Sequence, residues 1–93
     1  MGKTITAEYY RVEVRLRPAN GKNITEVFSG RADDVIESDE YLKARVERFL
    51  TMKISQGMQP PIQIFEVSVY NPQNYCLRKQ ICGWIMEKGR FIS

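Results

Sequence analysis

Ala7-Glu8-Tyr9-Tyr10-Arg11-Val12-Glu13-Val14-Arg15-Leu16-Arg17 is the stretch on which the fold turns. Tyr10, Val12, Val14 and Leu16 alternate with Tyr9, Arg11, Glu13, Arg15 and Arg17. A period of two puts the apolar set on one side of a half-buried strand and the charged set on the other. Pro18-Ala19-Asn20-Gly21-Lys22 follows; Pro18 closes the strand, and Asn20-Gly21 supplies the positive-φ positions of a tight hairpin. A second strand is expected from about Ile24 to Ser29. A two-residue loop would set Val27 opposite Val14, and a three-residue loop with Gly21 in a bulge would set Phe28 opposite Val12. The bulged loop is preferred, because it puts Ile24 and Phe28 on the side of Val12 and Leu16, at the cost of Glu26 beside Val14.

Outward from the hairpin, the chain turns polar from Arg31 to Glu37, and Ser38 then stands as an N-cap with Asp39 and Glu40 in the first turn, where the helix dipole favours negative charge. Leu42, Val46, Phe49, Leu50 and Ile54 recur at helical spacing up to Gly57, which defines an amphipathic central helix. Lys43 and Glu47 are assigned to its outer side as an i,i+4 pair. Pro60-Pro61 stops the helix, and Ile62-Gln63-Ile64-Phe65-Glu66-Val67-Ser68-Val69-Tyr70 reads as a third strand. Asn71-Pro72 can open a second helix with Leu77, Ile81, Trp84 and Ile85 on one face. Because Gly83 weakens a helix by about 1 kcal/mol relative to Ala, the alternative is a hairpin over Trp84 to Ser93 around Lys88-Gly89. The fold class expected is α+β: a small antiparallel sheet made of the hairpin and the third strand, with the central helix and a C-terminal helix.

Ninety-three residues with 43% hydrophobic content supply one core and leave no material for a second, so residues 1–93 read as a single domain. No run approaches the roughly 18 apolar residues of a membrane span, and no charged stretch followed by an apolar region marks a secretion signal. A cytoplasmic location is the expectation. Cys76 and Cys82, six residues apart in a chain without histidine, give neither a disulfide framework nor the four soft or imidazole ligands of a zinc site. They read as reduced thiols packed near an apolar face.

The absence of histidine removes the commonest general acid–base and the usual activator of serine or cysteine nucleophiles. Asp33, Asp34, Glu37, Asp39 and Glu40 gather at a loop and helix start, where capping and solvation account for them. Gly21, Gly30, Gly57, Gly83 and Gly89 are isolated, and no phosphate-binding or dinucleotide motif is formed. Asn23-Ile24-Thr25 matches the glycosylation pattern with no secretion signal before it. No enzyme, cofactor, metal or small-molecule substrate is expected.

The charged side of the first strand carries the most information. Arg11, Arg15 and Arg17 project together with Tyr9, offset only by Glu13, and guanidinium forks grip phosphates or carboxylates at any relevant pH. Lys22 in the turn and Arg78-Lys79 further on extend the candidate partner-binding set, with Lys88 and Arg90 near the C-terminus. The alternative is a solvated sheet face whose charges pair across strands, for example with Glu26. Trp84 and Tyr75 read as packing residues more than as base-stacking platforms. A formal charge of +3 is mild for a protein that coats DNA.

In size, α+β pattern and mild basicity, carried by the Tyr9 to Arg17 strand, the Asn20-Gly21 hairpin and the helix from Ser38 to Gln56, the chain resembles the small phage-encoded anti-CRISPR proteins that act on type I-F (Csy) surveillance complexes. That family shares little sequence among its members, so no site is carried over residue by residue. The resemblance implies stoichiometric inhibition in the bacterial host cytoplasm, by docking on Cas proteins of the RNA-guided complex, with contact to guide RNA, so that target DNA is not recognised. The charge of +3 is opposite to that of a DNA mimic. Two other readings compete: a small basic nucleic-acid-binding regulatory domain using the same arginines, and a self-associating subunit using Tyr70, Trp84, Ile85 and Phe91 as an exposed patch.

Overall fold

A computed structural model describes residues 9–36, 38–87 and 89–92. Ala7, Glu8, Glu37, Lys88 and Ser93, and the side chains of Asp33 and Asp34, lie outside the described portion. The elements in chain order are β1 (Tyr9–Arg17), β2 (Ile24–Arg31), the short α1 (Ala32–Val35), α2 (Asp39–Ser55), β3 (Ile62–Tyr70), β4 (Cys76–Glu87) and β5 (Arg90–Phe91). The strands form one antiparallel sheet in the order β2-β1-β3-β4-β5. This is an α+β fold with one long helix against one side of the sheet.

Strand β1 is internal, paired with β2 on one edge and β3 on the other. Its alternation is realised: Val12, Val14 and Leu16 are fully buried. Around them close Val35, then Leu42, Val46 and Leu50 from α2, Ile62, Ile64, Val67 and Val69 from β3, and Met86 from β4. Burying a side chain of this size is worth about 1.5–3 kcal/mol, so these twelve residues hold α2 on the sheet.

The hairpin register is the one expected, with Val12 opposite Phe28 and Val14 opposite Glu26. Its turn is not. Asn20 and Gly21 are absent from the positive-φ positions, which fall at Gly57, Asn74 and Gly89. Pairing stops at Leu16 and Ile24, and the loop folds down onto the α2–β3 connection. There the Ala19 amide donates to the Gln59 carbonyl at 2.9 Å, and Asn20 Oδ1 accepts from the Gln59 amide at 3.3 Å. Once the Asn20 side chain is committed to that contact, Pro18 to Gly21 closes as an ordinary turn through the Gly21 amide and the Pro18 carbonyl.

Helix α2 is capped as its sequence requires. Ser38 Oγ accepts from the amides of Glu40 and Tyr41, Asp39 and Glu40 occupy the first turn, and Gly57 takes φ +116° after the C-terminus. Lys43 and Glu47 do not form an outer pair. The Lys43 ammonium lies 5.1 Å and 5.4 Å from the Trp84 and Phe91 ring centroids, and a Glu47 carboxylate oxygen accepts from the Phe91 amide at 2.9 Å. Both fasten β5 to the helix. The polar run after Gly30 contains a turn of helix whose Val35 enters the core, so close to Gly30 that a Cβ there would meet Val35 Cγ1 at 2.6 Å.

The expected C-terminal helix is replaced by β4, paired with β3, and by a short return strand; the hairpin alternative is the one realised. Asn71-Pro72 turns the chain back instead of capping a helix. The Asn71 carbonyl accepts from Asn74, Asn71 Oδ1 accepts from the Tyr75 amide, and Asn74 takes φ +72°. Such a turn delivers Cys76 onward to the open edge of β3, whose backbone groups would otherwise lack partners. Leu77 and Ile81, expected in a buried helix face, are exposed, while Trp84 packs against the core with its ring tilted onto Phe91, the ring centroids 5.2 Å apart. The two cysteines are free and unlike: Cys76 is exposed and Cys82 is half-buried, and burial followed by the nearby Glu66 charge pushes the Cys82 thiol up to about 11.

Urea unfolding tests this core: Leu50→Ala should lose about 2–5 kcal/mol, whereas Leu77→Ala should stay within about 1 kcal/mol, as a surface position does. A large loss at Leu77 would speak for a buried C-terminal helix. Thiol labelling gives a second test, in which Cys76 reacts at least about tenfold faster than Cys82 at neutral pH because only a minute fraction of the latter is thiolate. Equal rates in the native protein would contradict the placement of Cys82.

Candidate functional site: the uncovered face of the sheet

Helix α2 covers one side of the sheet, and the other carries the residues that alternate with the core. The β1 register sets Arg11 between Ser29 and Tyr70, Glu13 between Val27 and Ser68, and Arg15 between Thr25 and Glu66. A register shift after Arg15 brings both Phe65 and Glu66 of β3 to this side, since Ile64 and Val67 on either side of them are buried in the core. Pairing with β4 adds Lys79 opposite Ser68 and Ile81 opposite Glu66.

These side chains are interlocked. Arg11 Nε meets Glu13 Oε2 at 2.9 Å, its Nη2 donates to Asn74 Oδ1 at 2.7 Å, and its guanidinium lies 4.4 Å over the Tyr70 ring. Arg15 Nη1 and Lys79 Nζ meet the two oxygens of Glu66 at 3.1 Å and 3.3 Å. Arg17 donates to Gln63 Oε1 at 2.6 Å and sits 6.0 Å from the Phe65 ring. Glu66 is the anchor. It is buried at 7% exposure, while the side chains of Arg15 and Lys79 remain 60% and 64% exposed. The hydrogen bond from Arg15 holds its carboxyl below the ordinary carboxylate range, against the opposing effect of burial and with further help from Lys79.

The alternative reading of this face has its charges pairing across strands, with Glu26 as the example. That carboxylate instead lies on the helix side, 3.4 Å from Lys53 of α2, because its register position faces Val14. Of the sequence-derived site residues, Arg11, Arg15, Arg17 and Lys79 share the uncovered face, and Tyr9, opposite Arg31 at the start of β1, is 57% exposed. Lys22 stands apart in the β1–β2 loop. Arg78 is on the helix side, opposite Val69, where it donates to the Ile36 carbonyl at 3.2 Å and pairs with Asp39, joining β4 to the start of α2. Sequence reading missed Glu66 and Phe65 and gave Tyr70 only to a self-association patch; the one available signal was a single charged residue, Glu66, in a largely apolar strand.

Chemically the face presents cations and hydrogen-bond donors. Each guanidinium has five N–H groups, of which the internal contacts of Arg15 and Arg17 engage few. Arg11, Arg15, Arg17 and Lys79 stand against Glu13 and Glu66, so the surface is positive and suited to phosphates or carboxylates, with Tyr9, Tyr70 and Phe65 as flat apolar contacts. Val27 and Ile81 flank it, 49% and 76% exposed. Among the described residues, no cluster of His, Cys, Asp and Glu is arranged to hold a metal ion, and no helix is long and apolar enough to cross a membrane. No family model, curated protein or solved structure matches the chain.

Because the folded-state pKa of Glu66 is depressed, its pairing stabilises the fold above the unfolded carboxylate pKa and is lost as pH falls through the lower folded value. Acid titration of stability should therefore show a steeper loss below the ordinary carboxylate range in the native protein than in Glu66→Gln. Superimposable acid limbs would mean that the Arg15–Glu66–Lys79 group contributes nothing to folding.

Proposed function

We propose that this protein acts by binding and not by catalysis, as an anti-CRISPR-type inhibitor in the bacterial cytoplasm that docks its uncovered sheet face on an RNA-guided type I-F surveillance complex and blocks recognition of target DNA. The observation that carries the binding part is the convergence of Arg11, Arg15, Arg17 and Lys79 with Tyr9, Tyr70 and Phe65 on a sheet side that nothing described covers. Cations pre-oriented by Glu13, Glu66 and Gln63 lose little side-chain freedom on meeting an anionic partner. The identity of the partner rests on the resemblance in size, element pattern and basicity set out above. Cas proteins and the guide RNA phosphates would both offer the required negative surface.

A second reading, a small nucleic-acid-binding regulatory domain, is favoured by one feature: aromatic rings beside arginines on an open antiparallel sheet form a platform of the kind on which unpaired bases stack. It requires no protein partner.

The test is titration of the purified protein into a guide-loaded type I-F complex, followed by target-DNA binding and by affinity. Arg11→Gln with Arg15→Gln should weaken binding by about tenfold or more while the fold is kept; glutamine is used because a glutamate at position 15 would face Glu66. Full affinity in the folded double variant would remove this face as the docking site. Binding to bare RNA or DNA that falls steeply with salt, with none to the complex, would move the assignment to the second reading.

A further inference from the structure

Strand β2 ends the sheet, and its outer edge is uncovered among the described residues. Half of the backbone N–H and C=O groups from Ile24 to Arg31 therefore point away from β1, ready to pair with another strand. Edges of this kind are ordinarily blunted by lysine, proline or a bulge. Strand β2, Ile24-Thr25-Glu26-Val27-Phe28-Ser29-Gly30-Arg31, has no lysine, proline or bulge; its charges are Glu26, which is engaged by Lys53 on the helix side, and Arg31 at its end, and its register with β1 is unbroken. The opposite side of the sheet differs, for β4 carries Arg78 and Lys79 and is partly covered by β5.

Directly beside this edge, α2 and β2 enclose a cleft lined by Phe28, Ser29, Arg45, Arg48, Phe49 and Met52. Its floor is apolar, with Phe28 and Phe49 stacked at 4.7 Å, and its charge is uncompensated. Arg45 lies 5.9 Å over the Phe28 ring, its Nε is buried without a hydrogen-bond partner, and no carboxylate among the described residues pairs with Arg45 or Arg48. Burying a guanidinium N–H without a partner is costly, and an acceptor brought to it would relieve that cost.

We propose that the β2 edge and the Arg45–Arg48 cleft together form a docking site for an extended acidic peptide segment of a partner protein, which adds to the sheet as a further strand. In a strand laid along β2, alternate side chains fall on the helix side. A glutamate or aspartate opposite Phe28 then enters the cleft, where its two oxygens match the guanidinium forks of Arg45 and Arg48. Backbone pairing supplies affinity and the carboxylate supplies selectivity. This site lies on a different side of the molecule from the uncovered face and does not depend on the function proposed for that face.

The experiment uses the full chain labelled with 15N and a seven-residue peptide of alternating threonine and valine carrying one central glutamate, against its glutamine twin. The expected result is that alternate β2 amides between Ile24 and Arg31 shift and become protected from exchange, and that the glutamate peptide binds at least about tenfold better than the glutamine one. Arg48→Gln, at an exposed position and so neutral for the fold, should abolish that preference. Equal binding of the two peptides, shifts confined to the Arg11 and Arg15 face, or an edge already protected by self-association of the chain would each overturn the proposal.

Discussion

Everything in this fold depends on β1 being an internal strand. Because it is hydrogen-bonded on both edges, a slip of one residue against either neighbour would exchange Val12, Val14 and Leu16 for Arg11, Glu13, Arg15 and Arg17. Three fully buried side chains would go to water and as many arginines would enter the core, at a cost no local rearrangement could offset. One alternation therefore dictates the register of both flanking strands, the side on which α2 packs and the location of the charged surface.

The charged surface is built on the same constraint. With β3 beside β1, the register shift at Phe65 and Glu66 carries a carboxylate under two cations from different strands, Arg15 and Lys79. Ion pairs in the open are worth little, a few tenths to one kcal/mol. What Glu66 contributes is arrangement: it holds two long cationic side chains in place while leaving most of their donors facing outward. Arg11 is held in the same way between Glu13, Asn74 and the Tyr70 ring. A partner would thus meet a surface whose conformational freedom is already reduced.

The two sides of the molecule offer different chemistry from the same residue type. On the uncovered face the arginines are paired and solvated, which suits reversible contact with a broad anionic surface. In the cleft behind β2, Arg45 lies over the Phe28 ring with Arg48 beside it and no carboxylate paired to either among the described residues, next to an uncovered strand edge, which would suit an extended segment with one anchoring acid. A partner on the first side would be held mainly by charge, and one on the second mainly by backbone pairing.

Sequence by itself determined the strands β1, β2 and β3 and helix α2 with its Ser38 cap and Gly57 stop, because each is written in local periodicity or in a residue with a single suitable backbone role, and it narrowed the hairpin register to two choices. It also brought the arginines of β1 onto one side. Tertiary structure decided the rest. Asn71-Pro72 suits a helix start and a turn equally well, and only the open edge of β3 made Cys76 to Glu87 a strand. Lys79 and Arg78, adjacent in sequence, parted to opposite sides once that strand existed, and Lys43 and Glu47 turned from an outer pair into the clasp for β5. Glu66 became the centre of the charged face only through its register with Arg15. Local pattern sets which side of an element is apolar, whereas the partner of each edge and of each charge is a contact between residues far apart in the chain, which no local pattern encodes.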